Sequence, residues 1–172
     1  MLYIHHYQSP LGGMTMSSNG ETLTGLTFDC QKQNSCSLEK DQEKIDNTTD
    51  HVIKETEKWL DIYFRGIAPD FMPSILLDGT EFQETVWNIL LSIPYGEIIT
   101  YGQIADKIVK ERGLERMSAQ AVGGAVSHNP IALIIPCHRV VGKNNNLTGY
   151  AGGIDNKIKL LMLEGVDLRE MH

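Results

Sequence analysis

The sequence is short of cysteine, of aromatic residues and of excess positive charge, and it holds no long apolar run. Three cysteines in 172 residues are too few, and odd in number, for a disulfide-stapled framework, and they fit a reducing compartment. No stretch approaches the roughly 18 consecutive apolar residues of a membrane span. Met1–Tyr7 has neither the basic start nor the apolar core of a secretion signal. The chain is therefore expected in the cytoplasm, with no membrane partner. Fifteen Lys/Arg against 22 Asp/Glu give a net charge of −7, which argues against a protein that coats nucleic acid by bulk charge. What is present, 41% hydrophobic and 22% charged residues, is ordinary globular usage in a chain long enough to bury a core.

The charge is unevenly placed. Residues 1–100 carry six Lys/Arg and fifteen Asp/Glu, a charge of −9, whereas residues 101–172 carry nine and seven, a charge of +2. Such asymmetry points to an anionic partner for the second part of the chain. Along the sequence, Leu2–Ile4, Gly13–Met16 and Thr22–Phe28 are separated by Ser-Pro-Leu-Gly and Ser-Asn-Gly turn chemistry, which predicts a β-meander. Residues 31–50 read as a solvated loop. An apolar stripe of Ile53, Trp59, Leu60, Tyr63 and Phe64 predicts a helix over about 51–65, stopped by Gly66. Thr80 with Gln83, and Thr100 with Gln103, are capping boxes that open two further helices, with Phe82, Val86 and Leu90 buried in the first and Ile104, Ala105 and Ile108 in the second. Ser118 caps a fourth helix that ends at His128-Asn129-Pro130. The prolines at 69 and 73 mark a boundary, giving domains 1–75 and 76–172.

Two features carry chemistry. Ile131–Ile135 is a continuous apolar run, read as a buried strand that stops at Pro136, so that Cys137 sits where the chain leaves the core. A thiolate, not a thiol, is the nucleophile, and a base or positive charge nearby favours it; His138 and Arg139 supply one of each. The helix 118–126 is the second. Ala119, Ala121, Gly123, Gly124 and Ala125 leave little side chain on several faces. This suits either close helix packing or entry into a nucleic-acid minor groove about 6 Å wide, whose nearly degenerate base code suits repair better than transcription. Downstream, Thr148–Gly153 is a glycine-rich loop, followed by a last helix with Asp155 as N-cap that runs through Ile158, Leu161 and Met162 to Gly165; Glu164, one turn beyond Leu160 on the same face, is expected to point inward. His5, His6, Cys30 and Cys36 have no ligand-pair spacing, so no metal is assigned. His51, His128 and His172 read as surface or cap residues.

Ile135-Pro136-Cys137-His138-Arg139-Val140 resembles the active-site signature of the methylated-DNA–protein-cysteine methyltransferases, which are 6-O-alkylguanine-DNA alkyltransferases. The resemblance extends to Thr80–Gln83, Ile93–Gly96, Thr100–Ala105, Ala121–Ala125, Asn129-Pro130, Gly149–Gly153 and Leu163–Gly165, and to Ser9–Gly12 and Tyr63–Gly66 nearer the N-terminus. It implies an α/β fold: a small N-terminal ribonuclease-H-like α/β domain, then a mainly helical domain with a helix-turn-helix. It also implies transfer of a methyl or larger alkyl group from 6-O-alkylguanine in double-stranded DNA to the protein's own cysteine, once per molecule, by a monomer without cofactor. Activity on 4-O-methylthymine is left open. On these positions Cys137 resembles the acceptor, His138 the base acting through a water, and Glu164 the group that orients His138. Tyr101 resembles the donor to the leaving guanine, and Asn129 the brace of the active-site turn. Val140 and Cys137 carbonyls, with Tyr150, Ala151 and Gly152, resemble the base-reading wall. Ser118, Ala119, Gln120, Ala121, Gly123, Gly124 and Arg139 resemble the DNA-contacting set.

One position departs from the family pattern. Where relatives commonly carry an arginine that fills the gap left by a flipped nucleotide, this chain has Gln120, which lacks the charge and the planar fork. Three rival readings fit the sequence less well. Lesion-recognising relatives without the acceptor cysteine are disfavoured by the intact Cys137. A cysteine hydrolase leaves the helix-turn-helix unexplained. A transcriptional regulator calls for long base-reading side chains on 119–125, and these are absent.

Overall fold

Turn chemistry sets the first sheet. Ser9 accepts the Leu11 N–H at 3.1 Å and Asn19 accepts those of Glu21 and Thr22, closing the hairpins between β1 (Tyr3–Ser9), β2 (Gly12–Ser18) and β3 (Leu23–Phe28). The three strands form the expected antiparallel meander, in the order β1-β2-β3. This computed structural model describes residues 2–30, 50–169 and 171. The loop expected over 31–50 thus lies outside the described residues save for Asp50, as do Cys36 and His172. Alternation along the strands buries Ile4, Met14, Met16, Leu23, Leu26 and Phe28. β1 runs further than its apolar start because pairing with β2, not hydrophobicity, sets its length. Three of its polar side chains are engaged: His5 Nε2 with Glu57 at 2.6 Å, His6 Nδ1 with Thr15 Oγ1 at 3.1 Å, and Tyr7 donating to Asp61 at 2.6 Å. His5 and His6, as strand neighbours, point to opposite faces.

Asp50, expected in the loop, instead caps α1 (His51–Phe64). Its Oδ1 accepts the N–H groups of Val52 and Ile53 at 2.7 and 3.2 Å, and its Oδ2 accepts from Ser18 at 3.0 Å. The cap is buried, so water cannot replace these bonds. Asp50→Ala is expected to destabilise the protein by about 1–2 kcal/mol; a shift in the urea midpoint measures it, and an unchanged midpoint would mean that Asp50 does not anchor the helix.

The second part of the chain contains α2 (Glu81–Leu91), β4 (Ile99–Thr100), α3 (Tyr101–Arg112), α4 (Ala119–Ser127), β5 (Val140–Val141) and α5 (Ile154–Leu163). Both capping boxes form. Gly113 ends α3 at φ 64°, in the left-handed conformation that frees it to turn towards α4. The two short helices and their turn make the expected helix-turn-helix unit. β4 and β5 pair in parallel, Ile99 with Val140 and Thr100 with Val141. The buried face of α2 is Val86, Trp87, Ile89 and Leu90, with Phe82 only half-buried. The Trp87 indole donates to the Ala125 carbonyl at 3.0 Å and so fastens α2 to α4.

Two sequence readings are corrected. Ile131–Ile135 is buried but is not a strand: only Ile131 makes a bridge, with Leu26, and the chain then turns with Leu133 at φ 68°. An apolar run without alternation reports burial, not extension. The N-cap of α5 is Gly153, not Asp155, which lies in the first turn. The inward face of α5 is accordingly Lys157, Leu160 and Leu161, while Met162 is 61% exposed.

The chain groups into two units, Met1–Leu77 with Pro130–Ala132, and Asp78–Asn129 with Leu133–His172. In the first, the outer edge of β3 is completed by two short parallel bridges. Leu23 N–H donates to Ser74 O and Leu76 N–H to Leu23 O; Leu26 N–H donates to Pro130 O and Ala132 N–H to Leu26 O. Among the described residues no helix is long and apolar enough to cross a membrane.

Candidate active site

Pro136 begins the local geometry. Its ring fixes φ near −65°. Here φ is −81° and ψ 65°, and the Cys137 N–H donates to Ile135 O at 2.8 Å, an inverse γ-turn. A single 3₁₀ turn, Cys137–Arg139, follows at once, with Arg139 N–H donating to Pro136 O at 3.0 Å and Val140 N–H to Cys137 O. The chain does not leave the core here, as its sequence suggested: Cys137 is 8% exposed, His138 0% and Arg139 8%. Asn129, the residue just before the buried turn, donates from Nδ2 to Ile135 O at 2.8 Å and bears on Cys137 as well. It therefore braces the segment on which Cys137 sits.

Glu164, the C-cap of α5, collects the charged groups. Its Oε2 pairs with His138 Nε2. Its Oε1 accepts from Arg139 Nε at 2.7 Å and from the Gly96 N–H at 3.0 Å. Gly96 has φ 81°, and a Cβ there would stand 3.0 Å from the Glu164 carbonyl oxygen, so both backbone and space call for glycine. Arg139 Nη1 donates to Ile93 O at 2.7 Å, its guanidinium lies 5.8 Å over the Tyr95 ring, and Tyr95 donates to Leu163 O at 3.3 Å. The turn after α2 is thereby tied to the end of α5 through the charged cluster. Arg139, expected on the DNA-contacting surface, is instead spent inside: its charge belongs to Glu164.

The electrostatics follow from burial and these partners. Burial pushes the Glu164 carboxyl up, but its bonds and charges with His138 and Arg139 outweigh this and hold it down at about 2. Burial lowers the affinity of His138 for a proton; Glu164 opposes that, and Arg139 and Lys157 reinforce it, so the imidazole titrates below its ordinary value. An ionised carboxylate only accepts, so His138 Nε2 carries the hydrogen and Nδ1 the lone pair. Burial pushes the Cys137 thiol up, and Asn129, Lys157 and the N–H groups of Cys137 and His138 pull the other way. Tyr101, the first residue of α3, is raised by burial and by the Cys137 charge. It remains a phenol, a hydrogen-bond donor, at neutral pH.

Lys157 was not foreseen. It is fully buried on α5, donates to Val140 O at 2.5 Å and Thr148 O at 2.8 Å, and burial brings its ammonium down to about 8. Its cationic form interacts with Cys137 and clamps the Val140 carbonyl and the Thr148–Gly153 loop together. In that loop Tyr150 is half-buried, Ala151 exposed and Gly152 buried, and Asn156 donates to Gly152 O at 2.9 Å. The cysteine turn, Tyr101, Asn129, Glu164 and Lys157 thus converge, and the loop is fastened to them through Lys157.

The helix-turn-helix set lies elsewhere on the same unit. Ser118 caps α4, accepting from Gln120 and Ala121 N–H at 3.1 and 3.3 Å. Ala119, Gln120, Ala121 and Gly124 are exposed, whereas Val122, Ala125 and Val126 face in. A Cβ at Gly124 would meet nothing within 4 Å, and at Gly123 it would touch the Tyr101 ring at 3.8 Å. The protein's own packing therefore does not demand a bare outer face on α4. His128 is the C-cap of α4 and its Nδ1 meets Gly124 O at 2.7 Å. Among the described residues no group of three His, Cys, Asp or Glu could hold a metal.

Comparison with known proteins agrees with this arrangement. Residues 2–72 match the family model described as 6-O-methylguanine DNA methyltransferase, ribonuclease-like domain, and residues 81–166 match its DNA binding domain. A methylated-DNA–protein-cysteine methyltransferase of Methanosarcina acetivorans is 40% identical over 164 residues, covering 95% of this chain and 99% of that protein. One of Mycobacterium bovis is 41% identical over 167 residues, covering 95% and 93%. Among solved structures, that of Mycobacterium tuberculosis OGT in complex with DNA superposes with a TM-score of 0.77 at 39% identity, covering 94% of this chain and 92% of that one. An O6-methylguanine DNA methyltransferase from Methanococcus jannaschii gives 0.67 at 33%, covering 95% and 94%. By sequence and by fold, this chain belongs to the methylated-DNA–protein-cysteine methyltransferase family.

Proposed function

We propose that this protein repairs duplex DNA by moving the alkyl group of 6-O-alkylguanine onto the Sγ of Cys137. The observation that carries the reading is a buried cysteine on a turn braced by Asn129, next to a buried histidine paired with Glu164 and near a buried lysine and Tyr101. The target base lies inside a duplex and the cysteine inside a pocket, so the nucleotide is flipped out to reach it. His138 Nδ1 takes the Cys137 proton through a water, and Lys157 offsets the thiolate charge. The thiolate attacks the alkyl carbon, the carbon–oxygen bond breaks, and the electron pair stays on the guanine oxygen. Tyr101 donates to the developing guanine anion. The loop at Tyr150–Gly152 and the Val140 carbonyl wall the base. One Val140 lone pair already accepts from Lys157, which aims the other. The product is a thioether that water does not cleave, so each molecule acts once, and no cofactor enters. The test is intact-mass measurement after incubation with a duplex bearing 6-O-methylguanine. One methyl should appear per molecule, mapped to Cys137; repeated turnover, or no adduct, would refute the reading.

Binding to DNA is assigned to the open face of α4, entering the minor groove from Ser118 to Gly124. With Arg139 committed to Glu164, phosphate contacts fall to exposed cations such as Lys143. Gln120 stands where an arginine would stack and pair in the gap left by the flipped base. Gln120→Arg is expected to raise the single-turnover repair rate, and DNA affinity with it, by about 3- to 30-fold, equivalent to roughly 0.6–2 kcal/mol. Stopped-flow repair and a salt titration of binding measure both, and no change in either would remove Gln120 from base extrusion.

A further inference from the structure

We propose that Arg139 is a positioning residue for the proton transfer: by neutralising Glu164 on the carboxylate oxygen that His138 does not use, it keeps His138 uncharged and so able to take the Cys137 proton. The inference rests on the reading of Cys137 as acceptor and His138 as base, and adds what sets the charge of that base.

A buried histidine beside a buried carboxylate has two ways to balance charge. If the carboxylate stands alone, the pair draws in a proton and becomes imidazolium with carboxylate. An imidazolium has no lone pair and takes nothing from a thiol. If a second cation already compensates the carboxylate, a proton on the ring adds an unpaired positive charge to a dry space, and the ring stays neutral. Here the second cation is fixed in place. Arg139 donates from Nε to Glu164 Oε1 at 2.7 Å and from Nη1 to Ile93 O at 2.7 Å, with Tyr95 beneath the guanidinium at 5.8 Å. Those contacts use the fork and the flat face of an arginine, which a lysine ammonium does not offer. The other charged or titratable groups around the pair are Lys157 on α5, Cys137 on the same turn as His138, and Tyr95 on the turn after α2. Lys157 acts in the same sense as Arg139, and burial of the ring favours neutrality too.

Transfer from Cys137, unlike uptake of a proton from solvent, leaves the net charge of the cluster unchanged. When the Cys137 proton reaches Nδ1, the sulfur becomes a thiolate and the ring an imidazolium, and Glu164 Oε2 still accepts from Nε2. Charge is thus stabilised when it forms but is not stored beforehand. Arginine is the next residue after His138, so the same 3₁₀ turn sends one side chain to each oxygen of one carboxylate.

The test is a pair of titrations. In the wild-type protein, the ¹³Cε1 resonance of His138 should report a neutral ring from pH 7 down to well below the ordinary imidazole midpoint of about 6.5; an imidazolium at pH 7 would overturn the proposal without any variant. Arg139→Met removes the charge while keeping much of the bulk. Its His138 midpoint, and the acid limb of the methyl-transfer rate, should rise together by about 1–3 pH units. Arg139→Lys keeps a charge without the fork, and its limb should stay within half a unit or so of wild type even if the rate drops at every pH. A slower Arg139→Met protein whose limb and resonance midpoint do not move would make Arg139 merely structural. Should Arg139→Met fail to fold, Arg139→Gln, which keeps hydrogen-bond donors but no charge, takes its place: the same rise in limb and resonance midpoint supports the proposal, and an unmoved limb overturns it. Failure of the wild-type protein to gain a methyl on Cys137 is a different result: it removes the reading of the site, while the resonance still reports the charge that Arg139 sets.

Discussion

Cys137→Ala is expected to reduce alkyl transfer to the uncatalysed level while leaving the fold and the affinity for DNA in place. The substitution removes one sulfur atom from a side chain that is already 8% exposed, so the cavity is small and the cost in stability is about 1 kcal/mol or less. Nothing on α4 touches that position in the contacts described, and DNA recognition needs no thiol. Cys137→Ser should be as inactive as alanine despite its equal size. A buried hydroxyl is far harder to ionise than a thiol, and none of the groups that offset a thiolate here compensates for that difference. Intact mass after exposure to a 6-O-methylguanine duplex reads the transfer, and a gel-shift titration reads the binding. An adduct that persists in the alanine variant and maps to the exposed Cys30 would transfer the acceptor role away from the buried turn.

The second large effect is at Glu164, where one carboxylate serves three donors. Glu164→Ala leaves Arg139 and His138 buried without their anion and the Gly96 N–H without its acceptor. Breaking a buried ion pair by removing one partner costs about 3–5 kcal/mol, a large share of the 5–15 kcal/mol that stabilises a typical domain. Glu164→Gln separates chemistry from stability. Its carbonyl can still accept from Arg139 and Gly96, but its amide then faces His138 with N–H groups. The imidazole must turn its hydrogen to Nδ1, and no lone pair remains on the side of the thiol. A wrong tautomer of this kind costs about 10⁴-fold in a comparable histidine–carboxylate site; here the single-turnover rate should fall by about 10³-fold or more, with a much smaller shift in the urea midpoint than alanine causes. The carboxyl held at about 2 also links stability to pH. Since its folded value lies below the unfolded value of about 4.3, its contribution is complete above that value and disappears as the pH falls through about 2. Glu164→Ala should flatten this acid segment of the stability curve. An equally steep segment in the variant would place the acid-labile group elsewhere.

What could be read from the chain was whatever the chain writes contiguously. Thr80 with Gln83 and Thr100 with Gln103 specify helix starts over four residues, and both starts are where they were expected. Pro136-Cys137-His138-Arg139 announced its chemistry but not its place: the residues were read as leaving the core and instead form a buried 3₁₀ turn. Features that depend on which face of a helix turns inward were harder. Taking Asp155 as the cap of α5 set its apolar stripe to Ile158, Leu161 and Met162. The helix buries Lys157, Leu160 and Leu161, with Glu164 inward beside Leu160 as expected; it is Lys157, facing in, and Met162, facing out, that the reading missed. A signal was present: two charged residues seven apart, Lys157 and Glu164, bracket Leu160 and Leu161 at the spacing of a buried face. Arginine and lysine are counted as surface cations by default, and Arg139 and Lys157 both break that default because carbonyls and a carboxylate that lie far away in sequence wait for them. Asp50 escaped for a similar reason: its partners Val52 and Ile53 are local, but Ser18, which makes it a buried cap, is not.

The short bridges on the outer edge of β3 bear on how the protein is made. Leu26 obtains its partners from Pro130 and Ala132, about a hundred residues later in synthesis. At ~5–20 residues per second, the ribosome needs roughly 5–20 s after finishing β3 to deliver that segment. For that interval the N–H and C=O of Leu26 have only water to bond. The first unit, though it leaves the ribosome first, is completed only after α4 has been synthesised.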